Sequence, residues 1–103
     1  MNVYFDNAAT TPMEKKVLDK MLPFMEDGFG NPSSIHKRGR EIKSAIEKSR
    51  TMVAEILCCE PGEIFFTSGG TEADNMFLIN TVLEKKIDTI ITSKIGHHAV
   101  LHC

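Results

Sequence analysis

Two short apolar runs, at 63–67 and 88–93, enclose a paired glycine and a segment of helical period, and this alternation restricts the chain more than any other feature. Glu63-Ile64-Phe65-Phe66-Thr67 has strand character. Ser68-Gly69-Gly70 interrupts it. Met76, Phe77, Ile79, Val82 and Leu83 then recur at helical spacing over 71–85, and Asp88-Thr89-Ile90-Ile91-Thr92-Ser93 returns to strand character. Strand, helix and strand over about 30 residues is a βαβ unit, which demands parallel strands and a right-handed crossover. The fold class expected is therefore α/β. Parallel sheets are covered on both faces, and two strands cannot build such a layer, so the sheet is expected to be incomplete. A chain of 103 residues buries only about 60–70% of its unfolded surface.

Upstream, two more helices are expected. Val17, Leu18, Met21, Leu22 and Met25 give a helix over 13–26, with Pro23 a distortion near its end. Ile42, Ala45, Ile46, Val53, Ile56 and Leu57 give a longer one over 36–58, ended by Glu60-Pro61-Gly62. Residues 1–12 read as an extended arm and 27–35, DGFGNPSSI, as turn chemistry throughout.

The composition narrows the function classes. The net charge of −2 argues against a general nucleic-acid binder. The basic run containing Lys37, Arg38, Arg40, Lys43, Lys48 and Arg50 is interleaved with Glu41 and Glu47, and it reads as a solvated helix face or a subunit contact. No apolar run approaches the roughly 20 residues of a membrane span, and the first residues do not form a secretory signal. The three cysteines, Cys58, Cys59 and Cys103, form neither a disulfide framework nor a metal-ligand spacing, which fits reduced thiols in a cytoplasmic protein.

The glycine turn carries the chemistry. In open α/β sheets, ligands sit beyond the carboxyl ends of the strands. The amides of Gly70, Thr71 and Glu72 would open a helix, where free donors and the helix dipole favour an anion, and Thr71 adds a hydroxyl. Phosphate is the natural guest. The alternative is a plain strand–helix connection capped by Ser68 or Thr71. The spacing matches neither nucleotide-binding glycine pattern, so nucleotide is not the first ligand expected. His97 follows the second strand. It is open to stacking on an aromatic ligand, to acid–base work, or to being a surface histidine. His36, His97, His98 and His102 lack a carboxylate or cysteine at ligand spacing, so no metal site is expected.

Four segments, in order and at matching separations, carry a resemblance: YFDNAATTP at 4–12, FGNPSSIHKRGR at 29–40, FTSGGTEADN at 66–75 and ITSKIGHHAVLH at 91–102. Together they resemble the cysteine desulfurases, in the class V branch of pyridoxal-phosphate (PLP) enzymes with the aspartate-aminotransferase fold, fold type I. The resemblance spans nearly the whole chain but only the N-terminal part of the family's longer sequence. It implies an arm over 1–12 and the start of the large PLP-binding α/β domain over 13–103. It implies that Gly70 and Thr71 hold the PLP phosphate and that His97 stacks on the pyridine ring. Asn7, Ala8, Thr10, Asn31 and His36 would line the substrate entrance or the dimer contact.

The resemblance further implies conversion of L-cysteine to L-alanine, with sulfur passed to an acceptor for iron–sulfur clusters or tRNA thiolation, in a homodimer. The family's PLP-bonded lysine, its aspartate at the pyridine nitrogen and its sulfur-carrying cysteine all lie beyond this region. Lys94, Cys58, Cys59 and Cys103 match none of them, so no catalytic residue is assigned and the chain alone is expected to be inactive. Gly96 stands where the family usually has Glu before the stacking histidine. The alternatives are another class V enzyme (a selenocysteine lyase or an aminotransferase), a non-catalytic interaction module, and a stand-alone phosphate-binding domain.

Overall fold

Lys, Leu, Met and Glu dominate the segment after Pro12, and all favour helix. In the computed structural model, which describes residues 2–102, they form α1, Lys15–Glu26. The helix runs through Pro23, which contributes no donor of its own. The Pro23 carbonyl accepts from the amides of Asp27 and Gly28, and these bonds close the last turn. α2, Lys37–Leu57, ends on Cys58, which holds the left-handed conformation at φ 54°. That conformation lets Cys58 N–H and Cys59 N–H reach back to the last carbonyls of the helix. A 3-10 turn, Pro61–Glu63, follows, then α3, Gly70–Lys85, and a single turn of helix, α4, His98–Leu101. The expected helices over 13–26, 36–58 and 71–85 are thus present to within two residues at each end.

The chain forms two compact units, Met1–Pro61 and Gly62–Cys103. In the first, the loop 27–36 is fastened to the start of α2. Ser33 N–H donates to Asn31 Oδ1 at 2.9 Å and Ser34 N–H donates to the Asn31 carbonyl at 3.0 Å. Arg38 donates to the Asp27 carbonyl at 3.2 Å and lies over the Phe29 ring, 4.7 Å from its centre. Arg40 donates to the Ile35 carbonyl. Gly39 is buried beneath this loop. A methyl group there would collide with the Ser34 carbonyl oxygen and lie 2.6 Å from the Asn31 carbonyl oxygen. Glycine is the only residue that permits this approach.

The arm over 2–12 is not extended throughout, as expected from its sequence. Residues 7–9 form a turn, because the amides of Ala9 and Thr10 both donate to the Asp6 carbonyl. The Tyr4 and Thr10 hydroxyls, 2.6 Å apart, hold the chain on either side of it.

The expected strands differ more. Among the described residues no strand is present: Glu63 belongs to the 3-10 turn, and 64–67 and 88–93 are irregular. A strand exists only as one side of a ladder, and these two segments do not form one with each other. The second unit is organised instead by the packing of α4 on α3.

Burial is correspondingly shallow. Among the described residues, only Ala54 and Ala99 are buried apolar residues, while Phe5, Ile35, Ile91 and Ile95 are each at least 88% exposed. Between α1 and α2 lies a cavity of about 930 Å³ whose lining includes Val17, Met21, Phe24, Met25 and Met52. The basic face of α2 is solvated, with ion pairs Lys37–Glu41 at 3.8 Å and Arg50–Glu47 at 3.1 Å inside the helix. Among the described residues, no helix is long and apolar enough to cross a membrane.

Candidate functional site

The second unit presents the start of α3. Ala73 N–H makes the first helical bond, to the Gly69 carbonyl at 3.2 Å. The preceding amides, those of Gly70, Thr71 and Glu72, donate to no group among the described residues. Three donors therefore point out of the positive end of a 16-residue helix. The residue before the helix is Gly69, extended at φ 168° and ψ 177°, and its capping position has no side-chain hydrogen bond. Ser68 and Thr71 do not cap the helix, so the plain capped connection considered from sequence is not what forms.

The two glycines then need a reason. Neither adopts the left-handed conformation that favours glycine. A methyl group at Gly69 or Gly70 would meet nothing within 4 Å. The protein's own packing and backbone do not require glycine at either place. Both positions leave the backbone open to close approach from outside.

The turn is braced by side chains on its other side. Glu72 reaches back across the turn, and one of its carboxylate oxygens, Oε2, accepts from both Ser68 N–H and Ser68 Oγ–H, each at 2.6 Å. The Thr67 hydroxyl donates to the Gly69 carbonyl at 3.1 Å. Glu72 thus takes up the Ser68 donors. The amides of Gly70, Thr71 and Glu72 are left without a partner among the described residues.

Donation from the Ser68 hydroxyl, then from the Ser68 amide, holds the Glu72 carboxyl below its ordinary value, against a smaller opposing effect of desolvation. The folded value is the depressed one. The Ser68–Glu72 contacts therefore contribute fully above the ordinary Glu range and are lost as pH falls through the lower, folded value. The Ser68 amide resonance is expected to titrate with a midpoint below that of an ordinary Glu, and Glu72→Gln to abolish that step. A midpoint at the ordinary Glu value would show that the contact does not hold in solution.

His97 caps α4. Its Nδ1 accepts from Ala99 N–H at 3.1 Å, and the residue is exposed. Because an amide can only donate, the neutral imidazole carries its proton on Nε2. His98 Nδ1 and His102 Nε2 are 3.2 Å apart with their rings stacked. At Gly96 an added Cβ would lie 3.2 Å from the Ser93 carbonyl oxygen, so a side chain needs a small shift there.

The residues expected from the sequence are thus distributed over both units. Gly70, Thr71 and His97 share the second, where α3 packs on α4. Asn7, Ala8, Thr10, Asn31 and His36 belong to the first. There His36 Nδ1 caps α2 by accepting from Gly39 N–H at 3.3 Å, and the Asn31 side chain shapes the loop. Cys58 is exposed and Cys59 half-buried, both as thiols, and Cys103 lies outside the described residues.

Two side chains of the second unit were not singled out from sequence: that of Glu72, and that of Asn75, whose amide donates to the Thr71 carbonyl at 2.8 Å and to the Ala99 carbonyl at 3.5 Å. Their signal was the four-residue spacing, Ser68 to Glu72 and Thr71 to Asn75, which places each pair on one side of a helical turn.

Comparison with known proteins gives a consistent picture. The cysteine desulfurase IscS of Dictyoglomus turgidum is 52% identical over 101 residues, covering 96% of this chain and 26% of that protein. The cysteine desulfurase IscS of Methanosarcina thermophila is 52% identical over 102 residues, covering 97% of this chain and 25% of that protein. A solved structure described as a NifS-like protein superposes with a TM-score of 0.90 at 46% identity, over 99% of this chain and 29% of that one. The chain therefore spans about a quarter of the length of the curated relatives it matches. The aminotransferase class-V pattern matches residues 3–103. With essentially its whole length accounted for in this way, the chain belongs to the aminotransferase class-V family.

Proposed function

We propose that this chain supplies the phosphate-holding turn and the ring-stacking histidine of a PLP-dependent cysteine desulfurase. The observation that carries the reading is the start of α3. Its Gly70, Thr71 and Glu72 amides have no partner among the described residues, beneath glycines that the chain's own packing does not require. Phosphate is matched by several converging N–H donors at a helix N-terminus and by a hydroxyl. The three residues assigned to PLP, Gly70, Thr71 and His97, lie in one unit. Bound there, PLP supplies the electron sink for chemistry at an amino-acid α-carbon. Gly70 and Thr71 would hold its phosphate, Glu72 would keep the turn in shape by holding Ser68, and His97, its Nδ1 bonded to Ala99 N–H, would stack on its ring.

The substrate proposed is L-cysteine, converted to L-alanine with sulfur passed to an acceptor. Asn7, Ala8, Thr10, Asn31 and His36 are assigned to the substrate entrance or dimer contact of a cytoplasmic homodimer. Residues 1–12 are the arm, and 13–103 the start of the large domain. We assign 64–67 and 88–93 to strands of an α/β sheet whose ladder partners come from elsewhere in a longer chain.

The surface supports that assignment. The chain exposes 9378 Å². A compact protein of its mass exposes about 5,800 Å², and two separate compact bodies sharing that mass roughly 7,000 Å². Phe65, Phe77, Leu83, Ile91 and Ile95 are all exposed and contribute to it.

Titration with PLP tests the cofactor assignment. Thr71→Ala removes one hydroxyl donor to a charged acceptor, which is worth about 1.5–3 kcal/mol. The variant is expected to bind PLP at least about tenfold more weakly than the parent chain. Equal binding by both would remove the turn from the account.

A further inference from the structure

Within α3 and α4, one side chain touches both elements that carry the proposed cofactor residues. Asn75 lies one turn into α3 and is half-buried. Its amide nitrogen has two hydrogens and two acceptors in reach. One is the carbonyl of Thr71, the residue assigned to the phosphate, at 2.8 Å. The other is the carbonyl of Ala99, at 3.5 Å. Ala99 is itself among the few buried residues of the chain, at 6% exposure. Its N–H is the donor that fixes Nδ1 of His97. Contacts therefore run from the Thr71 carbonyl through the Asn75 amide to the Ala99 carbonyl and, across the Ala99 Cα, from the Ala99 amide to the His97 ring.

α4 is a single turn and cannot hold its own orientation. What holds it is its packing on α3, to which Asn75 adds a directional contact. Aspartate at this position has nearly the same shape. It would offer only acceptors, and would turn a charged oxygen toward two carbonyl oxygens.

We propose that Asn75 is a positioning residue, whose amide sets the His97 ring relative to the anion-binding start of α3 by holding Ala99 through its carbonyl. This rests on the assignment of PLP to Gly70, Thr71 and His97. It predicts a division of effects. A ligand that uses the turn alone is insensitive to Asn75, and a ligand that needs both turn and ring is sensitive.

The test compares the 103-residue chain with its Asn75→Asp and Asn75→Ala variants, using inorganic phosphate and PLP as separate probes. Nitrogen NMR of the His97 ring and circular dichroism of the helices accompany the titrations. In the variants the PLP dissociation constant is expected to rise by about tenfold or more while that for inorganic phosphate stays close to the parent value. The His97 ring is expected to pass from one tautomer, with the proton on Nε2, to a mixture.

PLP binding and a His97 signature that both match the parent would overturn the proposal. So would equal weakening of phosphate and PLP with loss of helix, since that is a merely structural role. If Asn75→Asp unfolds, Asn75→Ala is decided by the same readouts. If the parent chain binds no PLP, the cofactor assignment fails by itself. The His97 signature then decides Asn75: a change in the variants supports the positioning role, and no change overturns it.

Discussion

Gly39→Ala is expected to destabilise the first unit by about 1–3 kcal/mol, the cost of forcing a methyl group into a closed site. Gly39 sits under the loop that Asn31, Ser34 and His36 belong to. An added Cβ there meets two carbonyl oxygens and the Ser34 Cβ, the last at 2.8 Å. Backbone oxygens cannot rotate aside as a flexible side chain can. Relief therefore requires the loop to lift from α2, and lifting threatens the other fastenings: the His36 cap, the Arg38 bond to Asp27 and the Arg38–Phe29 stack. The denaturation midpoint of the helices is expected to fall, with faster proteolysis over 27–36. Gly62→Ala is the control, because nothing lies within 4 Å of a methyl group there and the change is expected to stay within about 0.5 kcal/mol. An unchanged midpoint for Gly39→Ala would mean that the loop is not seated on α2 as described.

That a glycine inside a basic helical segment does this work was not legible in the sequence. Its neighbours Lys37, Arg38 and Arg40 mark an exposed turn, and although Gly39 stands three and seven residues before Ile42 and Ile46, a glycine adds no apolar side chain to their face. Only the path of the preceding loop shows that the face is covered. The helices themselves were legible, because Val17, Met21 and Met25, or Ile42, Ala45 and Ile46, recur at helical spacing whatever they pack against. The start of α3 was legible for a different reason. Two adjacent glycines between an apolar run and a helix-forming run interrupt both and mark the boundary.

The strands were not realised, and the reason is instructive. Helical hydrogen bonds are local, so α2 and α3 form from their own residues. Ladder hydrogen bonds are not, and Phe65, Phe66, Ile90 and Ile91 carry strand propensity without a ladder between their segments. His97 was legible as a ring-presenting candidate, but its bond to Ala99 N–H was not, since it depends on the short helix α4 that no periodicity marks. Asn75 is the same case, because its acceptor on Ala99 lies 24 residues away along the chain.

The second large effect is on activity, and it tests the central claim most directly. The claim is that residues 1–103 supply the phosphate turn and stacking histidine of a cysteine desulfurase and do no chemistry alone. The matching segment of the Dictyoglomus turgidum cysteine desulfurase, 52% identical over 101 residues, can be replaced by this chain. Alanine formation from L-cysteine is then measured for the hybrid, for the hybrid carrying Thr71→Ala and for the isolated chain. Nearly half of the exchanged residues differ, yet Gly70, Thr71, Glu72, Asn75 and His97 arrive together with the geometry described above. The hybrid is expected to form alanine at a rate within about tenfold of the parent enzyme, a barrier change of no more than 1.4 kcal/mol. The Thr71→Ala hybrid is expected to need more PLP, and the isolated chain to form no alanine. A folded hybrid that binds PLP but makes no alanine from L-cysteine would contradict the account, as would alanine formation by the isolated chain.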